Sequence, residues 1–113
     1  PVADLKATIK YYKTKLGFSE EWFWEDTDAG CGRNELFMLF NLNPTLLDAM
    51  LAASAPLEII WIVEQVDDIY AEYTQKDLTL LSELENKPWG MREFTIKDIN
   101  GYAIRIAEPI ENE

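Results

Sequence analysis

The feature that most constrains the fold of this chain is an order of predicted elements that occurs twice. The second half is predicted to form a strand, a helix and three more strands, at residues 57–63, 66–76, 78–84, 91–97 and 102–108. The first half is predicted to form a helix and three strands, at 4–16, 18–25, a short segment around Cys31 and Arg33, and 36–42. A recurring order of this kind predicts a duplicated α+β unit whose first copy lacks its leading strand.

The two predicted helices support the duplication. Aligning them matches Leu5 with Val66 and Tyr12 with Tyr73, an offset of 61 residues. In the first helix Asp4 is the expected N-cap, and Gly17 supplies the C-terminal stop. Because this helix begins at residue 4, we expect the leading strand of the first unit to be missing.

A short helix is predicted between the halves, beginning at Asn43 and Pro44 and running to about Ala53, with Pro56 closing it. Two interpretations remain open, a connector packed on the core and a lid over a pocket. We treat 1–113 as a single domain, with halves 1–42 and 57–108 joined by a helical connector, 43–56.

The absence of histidine excludes familiar kinds of site. Histidine is the commonest metal ligand and the usual acid–base group near neutral pH, so His-containing metal sites and Ser–His or Cys–His pairs are excluded. Cys31 cannot form an internal disulfide, which favours a reducing, cytoplasmic location, and we expect it to be half-buried between two glycines. No stretch resembles a membrane span or a signal peptide.

The charge balance indicates the kind of partner. Ten basic residues against 21 acidic ones give a net charge of −11, which repels nucleic acid and anionic membranes and attracts cations. The alternative is that the acidic residues only keep the protein soluble. However, the segment 20–26 interleaves four carboxylates with three aromatic rings. Alternation places Trp22 and Trp24 on one face of that strand and Phe23 on the other, and a turn-like stretch follows at 26–30.

The segment Pro88-Trp89-Gly90-Met91-Arg92-Glu93-Phe94, followed by Lys97-Asp98-Ile99-Asn100-Gly101, resembles the late signature of bleomycin-resistance proteins in the glyoxalase, bleomycin-resistance and dioxygenase (vicinal oxygen chelate) superfamily. Stretches 15–18, 29–30, 67–73 and 107–108 agree with it. The resemblance implies two βαβββ modules that curl into an open half-barrel arrangement around a cleft, the first module lacking its leading strand here.

The resemblance also implies that the family's metal site is broken. Metal-binding members typically carry a Glu four residues after the glycine of the last hairpin, where this chain has Arg105. They typically begin the first strand of the second half with His, and the closest match here is Glu58. Arginine cannot ligate a metal, so no metal or other cofactor and no catalytic residue is expected, as in the binding-only branch of the family.

Strand alternation predicts what replaces the metal. Glu58, Ile60 and Ile62 share one face of their strand, and Arg105 lies on one face of the last strand. If both faces line the cleft, Glu58 and Arg105 form an ion pair. The alternative is that each charge is solvated at a strand end.

Candidate ligand-binding residues combine aromatic faces with carboxylates. Trp89, on a loop that borders the ligand groove in the resembled family, ranks first. The full candidate set is Trp89, Trp22, Trp24, Glu25, Asp26, Glu58, Ile60, Ile62 and Arg105. Core packing is the alternative for Trp22 and Trp24.

Trp61 alternates away from Glu58 and is expected to pack under a helix. Whether Phe37 and Leu39, or Met38 and Phe40, face the cleft is left open.

Taken together, the sequence predicts non-catalytic sequestration of a small, cationic, aromatic-containing molecule such as a bleomycin-type antibiotic. The protein is expected to be a cytoplasmic homodimer that binds neither nucleic acid nor membrane. One alternative is a metal-dependent lyase, isomerase or dioxygenase of the same superfamily with ligands partly in the missing strand. Another is a regulatory or interaction module that uses its acidic face.

Overall fold

The structure, a computed structural model, describes residues 1–53 and 57–111. The chain divides into two compact units, Pro1–Ala55 and Pro56–Glu113. The first contains α1 (Leu5–Thr14), β1 (Glu20–Trp24), β2 (Asp28–Arg33), β3 (Leu36–Asn41) and α2 (Pro44–Ala52). The second contains β4 (Glu58–Ile62), α3 (Val66–Thr74), β5 (Thr79–Asn86), β6 (Met91–Lys97) and β7 (Ala103–Pro109). The predicted α+β class and order of elements are confirmed.

In the first unit, β1, β2 and β3 form an antiparallel sheet with α1 packed on one face. The Tyr12 ring of the helix lies 5.1 Å from the Phe40 ring and 5.3 Å from the Phe18 ring, measured between centroids. Ala29 and Cys31 are buried on the same side. The apolar side of α1 therefore packs on one face of this sheet, and the helix does not cover the other face.

The hairpin between β1 and β2 is tighter than the sequence predicted. The stretch 26–30 was expected to be a turn, but β2 begins at Asp28, and Ala29 and Gly30 pair with Phe23 and Trp22. Cross-strand pairing therefore continues almost to the turn, where Glu25 has a positive φ of 51°.

In the second unit the sheet order is β4-β7-β6-β5, with β4 parallel to β7 and the other pairs antiparallel. Helix α3 covers one face, where Tyr70 and Tyr73 have ring centroids 5.0 Å and 6.2 Å from that of Phe94. Trp61 is buried, and its register partner Ile106 also pairs with Phe94, so all three lie on the helix side. The expectation that Trp61 packs under a helix is confirmed.

The start of α3 is held by a carboxylate from another strand. Gln65 adopts a left-handed conformation and provides no side-chain cap. Instead, Glu108 of β7 accepts hydrogen bonds from the backbone N–H groups of Gln65 and Val66, at 3.0 Å and 3.1 Å. A carboxylate at this end satisfies free N–H groups and matches the positive end of the helix dipole.

Several predicted boundaries move by a few residues. Helices α1 and α3 end at Thr14 and Thr74, two residues before the predicted ends. Strand β5 runs on to Asn86, two residues beyond the predicted end at residue 84. This extension occurs because Glu85 and Asn86 pair with β6 and because Arg92 Nη1 donates a 3.1 Å hydrogen bond to Asn86 Oδ1.

One kind of backbone hydrogen bond occurs in both units, with donors at the offset found in the sequence and acceptors 66 residues apart. The Val2 N–H donates to the Asn41 carbonyl at 2.9 Å, and the Val63 N–H donates to the Ala107 carbonyl at 2.8 Å. Val2 and Val63 are 61 residues apart, like the aligned helices. This shared bond supports the division into halves 1–42 and 57–108, which stays a prediction.

Helix α2 begins as predicted, with the Asn43 side chain accepting a 3.0 Å hydrogen bond from the Leu46 N–H. Leu47 is its buried residue, while Leu46 and Leu51 are exposed. Residues 54–56, the end of the predicted connector, lie outside the described residues. No helix in the described part of the chain is long and apolar enough to cross a membrane.

Candidate ligand-binding site

The predicted ion pair is present in the second unit. Glu58 begins β4, and Arg105 lies on β7 opposite Ile60, so the two side chains project from the same sheet face. Arg105 Nη1 is 3.0 Å from Glu58 Oε1. The alternative, in which each charge is solvated separately, is wrong. Both side chains are about one-third exposed, so the pair itself stabilises the fold by no more than about 1 kcal/mol.

A second carboxylate, which the sequence reasoning missed, completes the arrangement. Glu93 of β6 is only 3% exposed, and its Oε2 lies 3.1 Å from Arg105 Nε. Its other oxygen, Oε1, accepts a 2.7 Å hydrogen bond from the Trp89 indole N–H. The sequence could have identified Glu93. Pairing β6 with β7 across the 98–101 turn places Glu93 opposite Ala107, on the face that carries Arg105.

The resulting chain of contacts, Trp89–Glu93–Arg105–Glu58, does not fit a divalent metal. The Arg105 guanidinium lies between the two carboxylates, and a metal ion bound there would meet a fixed positive charge. Over the ranges 1–53 and 57–111, no three His, Cys, Asp or Glu side chains are arranged to hold a metal ion.

Trp89 lies at the tip of a turn and is 58% exposed. The turn is closed by the Gly90 N–H, which donates to the Lys87 carbonyl at 3.1 Å. Gly90 has a φ of +85°, a conformation that other residues rarely adopt. The Lys87 ammonium lies 5.8 Å from the centroid of the Trp89 ring and also pairs with Glu85. Trp89 therefore lies on a loop, as predicted, and its ring is exposed.

Ile60 and Ile62 follow Glu58 on the same face of β4 and are exposed on the side that α3 does not cover. The second unit thus brings together five of the predicted site residues on one sheet face and the adjoining turn. These are Glu58, Ile60, Ile62, Trp89 and Arg105.

The first unit presents four apolar side chains on the sheet face opposite α1. We call this set the aromatic face: Trp22, Trp24, Phe37 and Leu39. All four are exposed, with Trp22 at 39% and Trp24 at 67%. The alternative of ordinary core packing for the two tryptophans is therefore wrong. On β3, Phe37 and Leu39 share the face of the tryptophans, and Met38 and Phe40 lie on the α1 side.

Two glycines on the middle strand allow the rings to lie close to the sheet. A Cβ atom added at Gly30 would be 2.1 Å from the Trp22 ring, and one added at Gly32 would be 3.0 Å from the Phe37 ring. The two ring centroids are 6.2 Å apart, with ring planes tilted by 52°. The glycines thus leave room for adjacent aromatic surfaces that a side chain on β2 would displace.

Carboxylates surround the aromatic face on several sides. Glu20 projects from the same face, with Oε2 3.1 Å from the position that a Gly32 Cβ would take. Asp28 pairs with Trp24 in register, and Glu25 and Asp26 are exposed in the turn that follows Trp24. The interleaved acidic and aromatic residues of the sequence therefore lie close together in this unit.

Cys31 lies on the opposite, helix-covered side and is fully buried, not half-buried as predicted. Burial, with a smaller contribution from the negative charge of Glu21, raises the pKa of its thiol to about 12. The thiol therefore stays protonated near neutral pH and is not a nucleophile.

The chain resembles several solved structures. A bleomycin resistance determinant encoded on the transposon Tn5 has a TM-score of 0.76 and 18% identity, with 94% of this chain and 89% of that chain covered. A glyoxalase/bleomycin resistance protein/dioxygenase from Nocardioides has a TM-score of 0.73 and 16% identity, with 99% and 80% covered. A lactoylglutathione lyase from Agrobacterium tumefaciens has a TM-score of 0.70 and 14% identity, with 95% and 86% covered. At these identities the likeness shows the fold alone.

No curated protein matches the sequence. The family model described as Glyoxalase/Bleomycin resistance protein/Dioxygenase superfamily matches residues 1–106, nearly the whole chain. The chain therefore belongs to the glyoxalase/bleomycin resistance protein/dioxygenase superfamily and has its α+β fold.

Proposed function

We propose that the protein binds and sequesters a small cationic molecule with an aromatic part, such as a bleomycin-type antibiotic, without transforming it. The observation that carries this proposal is the aromatic face, on which Trp22 and Phe37 lie over Gly30 and Gly32. Large exposed apolar surfaces mark interaction sites more often than chance exposure. Aromatic rings held on a rigid sheet suit a planar aromatic group, which stacks on one of them at low entropic cost.

The surrounding charge favours a cation as the rest of the ligand. Glu20, Glu25 and Asp26 lie beside or just beyond the aromatic rings, and the chain carries a net charge of −11. A cation placed over an aromatic ring gains roughly 0.5–2 kcal/mol, more when water is excluded. An anionic ligand would instead be repelled by the surface as a whole.

The second unit supports the same ligand class. Arg105 contacts two carboxylates, those of Glu58 and Glu93. The formal charge of the three side chains together is therefore −1. The Arg105 guanidinium presents only N–H donors and has no acceptor with which to act as a general base. These features support binding without catalysis. The structural likeness to the Tn5 bleomycin resistance determinant shows the shared fold, and the choice of the drug-binding branch rests on the side chains described above.

We further propose that the protein acts as a homodimer in the cytoplasm. Exposed Ile60 and Ile62 on β4, an edge strand, supply apolar surface that association could cover. Because each chain carries a charge of −11, two copies repel one another, and the dimer should become more stable as salt is added. Sedimentation velocity at low and high salt tests this, and a monomer under both conditions would contradict it.

Calorimetric titration tests the ligand proposal. Copper-free bleomycin tests the antibiotic, proflavine tests the wider class of planar aromatic cations, and naphthalene-2-sulfonate is the anionic control. We expect micromolar binding of a cation and none of the sulfonate. Trp24→Ala should weaken binding by about 1–3 kcal/mol, as for other base-stacking aromatic residues. Phe23→Ala is the matched control, because Phe23 is exposed on the opposite face of the same strand.

Each outcome of the titration has a defined meaning. Binding of proflavine but not bleomycin would remove the antibiotic and keep the ligand class. No binding of either cation at micromolar concentration would overturn the proposed function. A tightly held divalent ion in the purified protein, together with turnover of a thiol adduct or a catechol, would show an enzyme instead.

A further inference from the structure

The orientation of Trp89 is not explained by packing. More than half of its surface is exposed, and it lies in a tight turn at residues 87–90 rather than in a strand. A ring that moves freely in solution must lose that freedom when a ligand stacks on it, which lowers affinity. If Trp89 is a stacking surface, some contact must hold its ring in place beforehand.

That contact is the hydrogen bond from the indole N–H to Glu93. At 2.7 Å it is short, and its acceptor is a charged carboxylate, so it is of the stronger, charge-assisted kind. Glu93 is itself rigid, because β6 is an inner strand, paired with β7 on one side and β5 on the other. The Trp89 ring, which lies in a turn at the surface, is thereby hydrogen-bonded to a side chain of the inner strand β6.

The buried carboxylate in turn depends on Arg105. An ionised group that is almost fully buried is costly unless it is paired and hydrogen-bonded. Each Glu93 oxygen has one donor, the Trp89 indole N–H on Oε1 and Arg105 Nε on Oε2. A further nitrogen of Arg105 is held by Glu58, which keeps the guanidinium directed along the sheet face.

We propose that Glu93 is a positioning residue that fixes the Trp89 ring for ligand stacking, with Arg105 as the cation that pairs with Glu93 on the sheet face. The inference about stacking depends on the proposed function. The inference that Glu93 orders the ring does not depend on it, so the two can fail separately.

The first experiment is a double-mutant cycle read by proflavine affinity. Glu93→Gln keeps the size of the side chain but removes the charge, so it cannot satisfy both donors as the carboxylate does. We expect it to weaken binding about tenfold, in line with the net value of a hydrogen bond to a charged group. In a Trp89→Phe background, which has no indole N–H, the same change should alter affinity by less than about twofold, because the two sites act through one contact.

Glu64→Gln is the matched control for net charge, because Glu64 is exposed in the segment after β4. Affinity should change little in that variant. An equal loss of affinity from Glu93→Gln in both backgrounds would show a general structural effect and overturn the positioning role. So would unchanged affinity in the original background.

The second experiment reads the ring directly and needs no ligand. The four tryptophans give four indole N–H signals in a ¹H–¹⁵N spectrum, and Trp89→Phe identifies the one from Trp89. We expect this signal to be downfield, protected from exchange and as rigid as the backbone by heteronuclear NOE. Glu93→Gln should move it upfield and reduce its NOE, while the Trp24 signal stays unchanged.

A mobile Trp89 signal in the unmodified protein, or one unaffected by Glu93→Gln, would overturn the proposal. Should Glu93→Gln fail to fold, the order of the Trp89 signal in the unmodified protein and the effect of Trp89→Phe decide the question. Trp89→Phe must then lose at least about fivefold more affinity than Trp24→Phe, since only the former removes the charge-assisted bond. If proflavine does not bind at all, the proposed function fails and the spectrum still tests Glu93.

Discussion

The indole ring of Trp22 lies directly over Gly30 of the neighbouring strand. A Cβ atom at residue 30 would come within 2.1 Å of that ring, so the two positions are linked sterically. The ring is partly exposed and can move away into solvent, unlike a side chain enclosed in a core. This makes residue 30 a means of displacing one ring of the aromatic face without disturbing the core on the α1 side.

Gly30→Ala should therefore weaken ligand binding more than it weakens folding. We expect a loss of stability near the lower end of the roughly 1–3 kcal/mol range for overpacking, because the ring can move outward. Proflavine affinity should fall clearly, since the Trp22 ring is displaced from its position beside Phe37. Gly32→Ala is the control, with a milder 3.0 Å approach to the Phe37 ring and a smaller effect expected. Urea denaturation and calorimetry measure the two effects, and unchanged affinity in Gly30→Ala would contradict the role of Trp22.

Removing Arg105 should cost far more stability than removing its exposed partner. Arg105→Met leaves the buried Glu93 carboxylate without its cation, a situation that typically destabilises a protein by about 3–5 kcal/mol. Glu58→Gln removes only a partly exposed partner and should cost less than about 1 kcal/mol. Urea denaturation of the two variants makes the comparison. Equal losses would mean that Glu93 is not the buried end of this chain of contacts.

Lys87 should compete with a cationic ligand for the Trp89 ring. Its ammonium lies 5.8 Å from the ring centroid, within the range of a cation–π contact. Lys87→Met removes this competitor and a like charge, so proflavine should bind a few-fold more tightly, as a contact of about 0.5–1 kcal/mol predicts. Lys6→Met, an exposed lysine on α1, controls for net charge. A weaker or unchanged affinity in Lys87→Met, relative to Lys6→Met, would indicate that ligands do not use this ring face.

Acid should remove a stabilising contact at the start of α3. The Arg92 guanidinium donates hydrogen bonds to Asp67, the shortest at 2.8 Å, and this bond above all lowers the pKa of the Asp67 carboxyl. A carboxyl whose pKa is lower in the folded state stabilises the fold above its unfolded pKa of about 3.9, and the effect is lost as pH falls through the folded pKa.

Arg92→Met should therefore lower the urea midpoint slightly at about pH 7, and by less as the pH falls through the folded pKa of Asp67. Because both side chains are largely accessible to solvent, the difference should be small and should shrink in high salt. Asp68→Asn, which removes a neighbouring exposed carboxylate, serves as the control. A midpoint difference that persists unchanged at low pH would exclude the Asp67 pair as its cause.

The last hairpin shows which features of the site could be predicted from the sequence. The strand pattern of 91–97 and 102–108 and the turn at 98–101 correctly place Arg105 on one face, and β-strand alternation correctly places Glu58 with Ile60 and Ile62. Their ion pair follows from that periodicity together with parallel pairing of β4 and β7. The same alternation could have placed Glu93 on the Arg105 face. Its burial could not have been predicted, because an isolated glutamate in a strand is usually exposed.

The sequence by itself determined the α+β class, the order of the elements, the caps at Asp4 and Asn43, and the faces on which Trp22, Trp24 and Glu58 lie. These follow from local backbone geometry, since a side chain's face depends only on the period of its own element. Tertiary structure alone decided which sheet face α1 and α3 cover and which carboxylate meets Arg105. It also decided that the rings of Trp22 and Phe37 lie over glycines. Such contacts join side chains from different strands, and their distances depend on register, twist and burial, which no single segment contains.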